Sequence, residues 1–495
     1  FRSCFKRPLC GVLPLSKEIG ITVSKKDDLS EWYTQVVTKS GLADYASVKG
    51  FMVLMPYGYS IWEKIKEFLD KRLKSMGHAN AYFPALIPES FLKREAEHFS
   101  GFTPEVFWVT LAGNDKLGER LAVRPTSETV IYDSYAKWIR SWRDLPLLIN
   151  VWNSVLRAEI KATRPFMRTS EFLWQEGHTV HADKEDTDAE VMRILQLYTE
   201  LVEDQLAIPT LVGLKTDREK FVGALYTTTL ESMMPDGRAL QMGTSHNLGQ
   251  NFSKAFEIKY LGKDEQMHYA WNASWGVSWR LIGALIMIHG DDRGLVVPPR
   301  IAPIQVVVVP IPYKNAEGAP ILNQAKTVAQ ELQAAGVGVL LDDREQYTPG
   351  WKFNEWELKG VPLRIEIGPR DLTNRQVTMV RRDTSQRSTV SAGDVITETK
   401  RLLDSIQSSL FERANGALKQ STHNAGTYDE LKNVIESKGG FVRACWCSDT
   451  VCEDKIKDET GATIRLVPLK DEKVFANCVR CGKPANKVVY FARSY

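Results

Sequence analysis

Long apolar runs are missing from this chain. No stretch approaches the about 20 residues that a bilayer-crossing helix needs, which excludes a protein built on such spans. No signal-peptide core stands near the N-terminus, where Gly11 and Pro14 interrupt the apolar residues, so the expected location is cytoplasmic. The chain opens on Phe1, which leaves room for an upstream portion. A large excess of one charge is also lacking. The 64 Lys and Arg against 61 Asp and Glu leave a net +3, so any RNA contact must come from local patches. There is no Gly-x-x-x-x-Gly-Lys phosphate cradle, no dinucleotide-binding glycine fingerprint and no Gly-x-Ser-x-Gly nucleophile turn. Triphosphate binding, if present, must rest on arginines. Cysteine is scarce and odd in number: five of the seven crowd into 445–481. That distribution argues against a disulfide framework and for a metal site in a reducing compartment.

What is present is enough for two to four domains in 495 residues of ordinary globular composition. Ile61, Ile65, Phe68, Leu69, Leu73 and Met76 recur at helical spacing before Gly77, and Val191, Ile194, Leu195, Tyr198, Leu201 and Val202 mark a second helix. Strand-like runs at Phe107–Leu111, Leu121–Arg124, Leu147–Leu156 and Glu171–Trp174 lack a strand-helix-strand rhythm, which predicts a mostly antiparallel sheet flanked by helices. After Pro298-Pro299 the pattern changes. Strands at Val306–Pro310, Val337–Leu341, Leu363–Ile367 and Gln376–Val380 alternate with helices at Ile321–Ala335 and Thr397–Ala414, predicting an α/β unit. The expected division is 1–299, 300–405 and 406–495.

Two arginines stand in polar company ahead of or within apolar frames: Arg157 in Val155-Leu156-Arg157-Ala158-Glu159, and Arg280 in Gly276-Val277-Ser278-Trp279-Arg280 before the apolar run Leu281–Ile288. A guanidinium is permanently charged, and its fork of donors matches phosphate oxygens. Two of them suit a nucleotide gripped at two points. Arg124-Pro125-Thr126-Ser127-Glu128 sets a hydroxyl and a carboxylate two residues apart, which on a strand would face one side and could hold an ammonium group; the same letters equally spell a helix start. Trp174, Glu176 and His178 alternate, and Gln241, Thr244 and His246 lie in a second dense polar run. The acidic run Asp183 to Asp188 reads as a solvated helix start, and a metal at His178 and His181 is disfavoured. Cys447-x4-Cys452 and Cys478-x2-Cys481 suit a closed, structural thiolate zinc site, with Cys445 a competing ligand for the first pair.

Together these blocks resemble the prolyl-tRNA synthetase family, class II, of the archaeal and eukaryotic-cytosolic type. The likeness spans essentially the whole chain: Tyr82-Phe83-Pro84 falls where motif 1 belongs, Arg157 in motif 2 and Arg280 in motif 3. Pro349-Gly350-Trp351-Lys352-Phe353-Asn354 and the terminal Phe491-Ala492-Arg493-Ser494-Tyr495 are further family blocks. The resemblance implies an α+β catalytic domain on an antiparallel sheet, an α/β anticodon-binding domain and a C-terminal zinc-binding domain. It implies that L-proline is activated with ATP and Mg²⁺ to prolyl-adenylate and passed to tRNA(Pro), by a homodimer that needs no membrane. Residue by residue, it implies Thr126, Glu128, Arg157, Trp174, Glu176, His178 and His246 at proline. It implies Arg157, Glu159, Arg168, Thr169, Gln241, Thr244, Ser278 and Arg280 at ATP, with Arg157 and Arg280 as the catalytic pair. Trp351, Lys352, Phe353 and Glu357 fall to the anticodon, and Cys447, Cys452, Cys478 and Cys481 to zinc. Arg168 and Ser278 are separated by on the order of a hundred residues, too few for the large editing insertion of bacterial relatives. The rival readings are an inactive synthetase-like RNA- or protein-binding paralogue and a class II ligase for another amino acid.

Overall fold

Five long-range antiparallel pairings organise the first half of the chain. In the computed structural model, which describes residues 20–98, 105–158, 163–311 and 318–495 (backbone alone at 94–98), strand Leu147–Leu156 pairs with Glu171–His181. Glu171–His181 then pairs with Trp271–Ser278, Trp271–Ser278 with Ala239–Gly249, Ala239–Gly249 with Tyr226–Met233, and Tyr226–Met233 with Leu211–Leu214. Ala79–Ala81 joins Leu147–Leu156 in parallel at one edge. At the other edge Thr463–Pro468 pairs with Leu211–Leu214, carrying the sheet into the C-terminal strands Lys487–Ala492, Phe441–Trp446 and Thr422–Ala425. The antiparallel sheet flanked by helices is therefore as the sequence predicts.

Amphipathic spacing explains how the helices cover this sheet. Lys184–Thr199 buries Val191, Ile194, Leu195 and Tyr198, while Asp183 caps it by accepting from the Asp186 N–H at 2.8 Å. The helical turn continues as a π segment, Glu200–Gln205, that buries Leu201 and Val202. Arg280–His289 is apolar nearly all round and correspondingly buried, sharing one core with Trp32, Ile61, Ile65 and Tyr198. The helix Pro56–Ser75 stops before Gly77, whose φ of +93° suits a residue without Cβ. Between Arg168 and Ser278, the chain builds sheet strands and their flanking helices, with the small hairpin Lys259–Leu261 and Met267–Tyr269 the main addition.

The α/β unit has the order Val339–Leu341, Val306–Pro310, Leu363–Ile367, Gln376–Arg381, Arg387–Ser391, parallel for the first three and antiparallel thereafter. It docks on the catalytic part through Arg382, whose guanidinium donates to both oxygens of Asp291 at 2.7 and 2.6 Å. The closing helix runs from Val395 to Gln420, longer than the predicted Thr397–Ala414 and straight through the expected boundary at 405/406. Its apolar stripe continues through Leu410, Ala414 and Leu418, so nothing in the packing ends it at that point.

Candidate active site

Register, more than sequence proximity, assembles the site. Glu176 lies opposite Gly276, which lies opposite Thr244; one step along, His178, Ser274 and His246 form the next row. Trp174 faces Ser278 in the row before. Alternation puts Trp174, Glu176 and His178 on one face of their strand, as the sequence suggests. Gln241 has the wrong parity to join Thr244 and His246 on a regular strand. Met242 is an extra residue against the Leu230–Glu231 step, and this bulge returns Gln241 to the cavity side. Gly177 is needed on the opposite face: a Cβ there would lie 2.0 Å from the Trp275 indole.

These rows floor a cavity of about 420 Å³. Arg157 and Arg280 both line it, together with Thr126, Glu128, Trp174, Glu176, Gln241, Thr244, His246 and Ser278. Arg157 leaves the end of its strand over Phe172 and Trp174, with ring centroids 5.3 and 5.9 Å from its guanidinium carbon. Arg280 opens its helix directly after the strand Trp271–Ser278. The segment 124–128 turns out to be a helix start: Glu128 is the first residue of Glu128–Trp138, and Ser127 precedes it without capping it. Freed from that duty, Ser127 donates to Glu176 and Thr126 donates to Glu128. Arg124, buried, fixes the approach by donating to the carbonyls of Ser154 at 2.9 Å and Phe83 at 2.7 Å.

Charges in the floor are unevenly held. Burial would raise Glu176, but hydrogen bonds from His178 at 3.0 Å and from Ser127 and Asn153 (the last at 2.7 Å) outweigh it and hold this carboxyl below its ordinary range. Against its own burial, His178 is raised by that bond and by the charges of Glu128 and Glu176. Glu128 is pushed upward by burial, with His178 opposing and Glu176 reinforcing. His246 is held down at about 3 by burial and then by the His178 charge, so its ring is neutral; its nitrogens sit 2.9 Å from Thr227 Oγ1 and 3.1 Å from Thr244 Oγ1. Burial, then the nearby Arg157 charge, lowers Arg280 to about 10, still protonated at neutral pH. Two like charges on one cavity wall favour an anion between them. Three polar atoms of lining residues, Trp174 Nε1, Ser274 Oγ and Trp275 Nε1, are buried and without a hydrogen-bond partner among the described residues.

Among the described residues the lining omits three of the predicted positions. His178 and Thr169 are buried outside the lining, and Arg168 is exposed on the loop that returns to the strand. Glu159 lies outside the described residues. Phe172, Glu219 and Phe221 also line the cavity, although the sequence reading passed over them. Phe172 was discoverable, standing two residues before Trp174 on the same strand face. Glu219 and Phe221 come from an irregular loop with no periodicity to read.

The other predicted positions are spread over two further places. Lys352 is buried and donates to the Asp342 carbonyl at 3.0 Å, while Glu357 pairs with Arg293 at 3.4 Å and Arg364 at 3.6 Å. Trp351 stacks on Tyr347 with centroids 3.8 Å apart, and Phe353 lies against the Arg364 guanidinium at 4.2 Å. In the C-terminal part, the sulfurs of Cys447, Cys452, Cys478 and Cys481 all lie within 4.8 Å of one another. Cys447 is 3.7 Å from Cys452 and 3.8 Å from Cys481. A zinc tetrahedron with bonds near 2.3 Å spaces its sulfurs about 3.8 Å apart, so the donor set fits. Cys445 is buried on the neighbouring strand, its sulfur accepting from the Phe475 N–H at 3.4 Å, and is not among the four.

Three family models match in succession: the tRNA synthetase class II core domain (G, H, P, S and T) over 107–289, the anticodon binding domain over 305–402, and the C-terminal domain of prolyl-tRNA synthetase over 428–495. The chain is 56% identical over 478 residues to the proline–tRNA ligase of Cenarchaeum symbiosum, covering 97% of this chain and 100% of that one. It is 52% identical to those of Natranaerobius thermophilus and Alkaliphilus oremlandii, covering 95% and 94% of this chain and 97% and 96% of theirs. The chain belongs to the proline–tRNA ligase family. It is a class II aminoacyl-tRNA synthetase with a class II core, an anticodon-binding domain and a C-terminal domain bearing a four-cysteine cluster.

Proposed function

We propose that the cavity is where proline and ATP meet, and that its residues divide the ligation as follows. Glu128, aided by Thr126, receives the secondary ammonium of L-proline, a charge that compensates the carboxyl's costly burial. Glu176 and His178 hold the floor beneath it, and the Trp174 face and His246 bound the pyrrolidine ring. Arg157 draws the proline carboxylate and the α-phosphate of ATP together, and Arg280 binds the far end of the triphosphate. Gln241, Thr244 and Ser278 supply further nucleotide contacts from the cavity wall, Arg168 and Thr169 contribute from the adjoining loop, and Glu159 is a further nucleotide contact. Mg²⁺ accompanying ATP would offset its charge.

The proline carboxylate oxygen attacks the α-phosphorus, the bond to the β-phosphate oxygen breaks, and pyrophosphate leaves. A hydroxyl of the terminal adenosine of tRNA(Pro) then attacks the acyl carbon, and AMP departs. No protein nucleophile is required; positioning and charge stabilisation carry both steps. The observation that carries this reading is the presence of both guanidiniums on the wall of one cavity floored by Glu128, Glu176 and Trp174.

Trp351 and Phe353 offer aromatic faces for splayed anticodon bases, with Lys352 and Glu357 nearby. The four sulfurs would hold one structural zinc ion. The division 1–299, 300–405 and 406–495, a homodimeric assembly and a cytoplasmic location complete the reading. ATP–pyrophosphate exchange over a panel of amino acids tests it: proline alone should support strong exchange, and absence of proline-dependent exchange would reject it.

A further inference from the structure

The loop 216–225 supplies Glu219 and Phe221 to the cavity, yet few of its own residues are buried, and it has no helix or strand to stiffen it. Its first half is fixed from the far end of the chain; its second half rests on the catalytic core, where Leu225 N–H donates to the Asn247 carbonyl at 2.8 Å and Asn251 donates to the Gly223 carbonyl at 2.9 Å. Thr216 Oγ1 donates to Glu453 Oε1 at 2.6 Å in a space closed to water. Arg218 pairs with Asp454 at 2.7 Å, and Glu219 faces Arg465 at 3.5 Å and Lys457 at 3.9 Å. Glu453, Asp454 and Lys457 all lie on the helix Thr450–Thr460, which also carries Cys452 of the thiol cluster.

The base of the loop is locked to the same domain. Lys215 Nζ donates to the Arg465 carbonyl at 2.8 Å and to Glu231 at 2.6 Å, and the Arg465 guanidinium reaches both oxygens of Glu231 at 3.1 Å. Gly213 permits this docking: a Cβ there would lie 2.3 Å from the Val467 carbonyl. From Thr216 the chain turns back, its carbonyl accepting from the N–H groups of Glu219 and Lys220 at 3.1 and 2.8 Å. Phe221 N–H then donates to Thr227 Oγ1 at 3.0 Å, and its ring lies 4.8 Å from that of His246. A continuous run of contacts thus leads from Glu453 to the His246 end of the cavity.

We propose that the C-terminal domain shapes the amino-acid half of the cavity, with Glu453 and Arg465 as positioning residues that hold the loop 216–225 and its Phe221 in place. This rests on the reading of that half as the proline pocket. The contacts end on Thr216 and Glu219, and the loop carries them on to Phe221 beside His246 rather than to Arg157, so the effect falls on proline more than on ATP. Thr216→Val and Glu453→Ala, assayed in the full-length enzyme by ATP–pyrophosphate exchange, should each raise the proline KM about five-fold, the scale of one lost buried hydrogen bond. The ATP KM should stay within about two-fold. The double variant should be no worse than either single one, since both remove the same bond. Glu453→Gln, which keeps an accepting oxygen, should restore the proline KM. If Glu453→Ala fails to fold, Thr216→Val carries the test from the other side of the bond. A proline KM that is unchanged in Thr216→Val overturns the proposal, as does an equal rise in both KM values. A wild-type enzyme without proline-dependent exchange overturns the pocket reading instead.

Discussion

His178 Nε2 lies 3.0 Å from Glu176 Oε2, both side chains buried, with Glu176 in the cavity lining and His178 outside it. The two shift each other in opposite directions: His178 is raised and Glu176 lowered from their ordinary values of 6.5 and 4.5. A raised histidine stabilises fully below its unfolded value and loses that contribution as pH climbs through the folded one. A lowered carboxylate stabilises above its unfolded value and loses that contribution as pH falls through the folded one. The pair is therefore fully stabilising between 4.5 and 6.5, weakening above that window as His178 deprotonates and below it as Glu176 is protonated. His178→Gln retains a hydrogen-bond donor without titrating. The difference in thermal midpoint between wild type and this variant should be largest at mildly acid pH and shrink above 6.5. A difference independent of pH would remove the charged pair from the account.

Arg157→Ala and Arg280→Ala should each lower proline-dependent pyrophosphate exchange at least about 100-fold, the scale for removing one preorganised donor from a developing charge. Both variants should keep a folded circular-dichroism spectrum. Because the two charges repel across the cavity, Arg157→Ala should not destabilise the ligand-free protein strongly. Exchange near the wild-type level in either variant would reject the assigned role.

Gly177→Ala should cost about 3 kcal/mol or more, because the added methyl meets the Trp275 indole at 2.0 Å in a packed core. A lowered thermal midpoint is the expected reading. An unchanged midpoint would mean that the register of these two strands differs from the one described.

Cys478→Ser should lower bound zinc well below roughly one ion per chain and lower the unfolding temperature, whereas Cys445→Ser should leave zinc content intact. Metal analysis of the purified proteins decides it. Loss of zinc in Cys445→Ser with retention in Cys478→Ser would contradict the ligand set.

Much of this was legible in the sequence because the informative residues sit on regular elements. Strand Leu147–Leu156 has the predicted limits, and the Trp174-Glu176-His178 alternation translates directly into a shared face. The strand Glu171–His181 outruns the predicted Glu171–Trp174 because its continuation is polar and strand patterning looks for apolar partners; Glu176 faces the cavity, while Gln175 and His181 are buried in hydrogen bonds to Tyr198 and Asp186. Gln241 could be grouped with Thr244 and His246 only by chemistry, since a bulge sets its side and single-chain periodicity cannot reveal one. The same letters at 126–128 fit a strand or a helix start, and the outcome depends on the packing of Ile131, Tyr132 and Tyr135. The choice between Cys445 and Cys447 likewise depends on where a strand ends. Glu219 faces Lys457 and Arg465, residues more than 200 positions away, and Phe221 lies against His246 from an irregular loop, so no local pattern records either.

The central claim is that one cavity holds the imino acid and the nucleotide together. Its most direct test is equilibrium binding of a non-hydrolysable prolyl-adenylate analogue, measured by calorimetry against proline and AMP separately. The account predicts that the analogue binds at least about 100-fold tighter than either fragment, and that both Arg157→Ala and Glu128→Ala weaken it. An analogue that binds no better than AMP, or that is indifferent to Glu128, would contradict it.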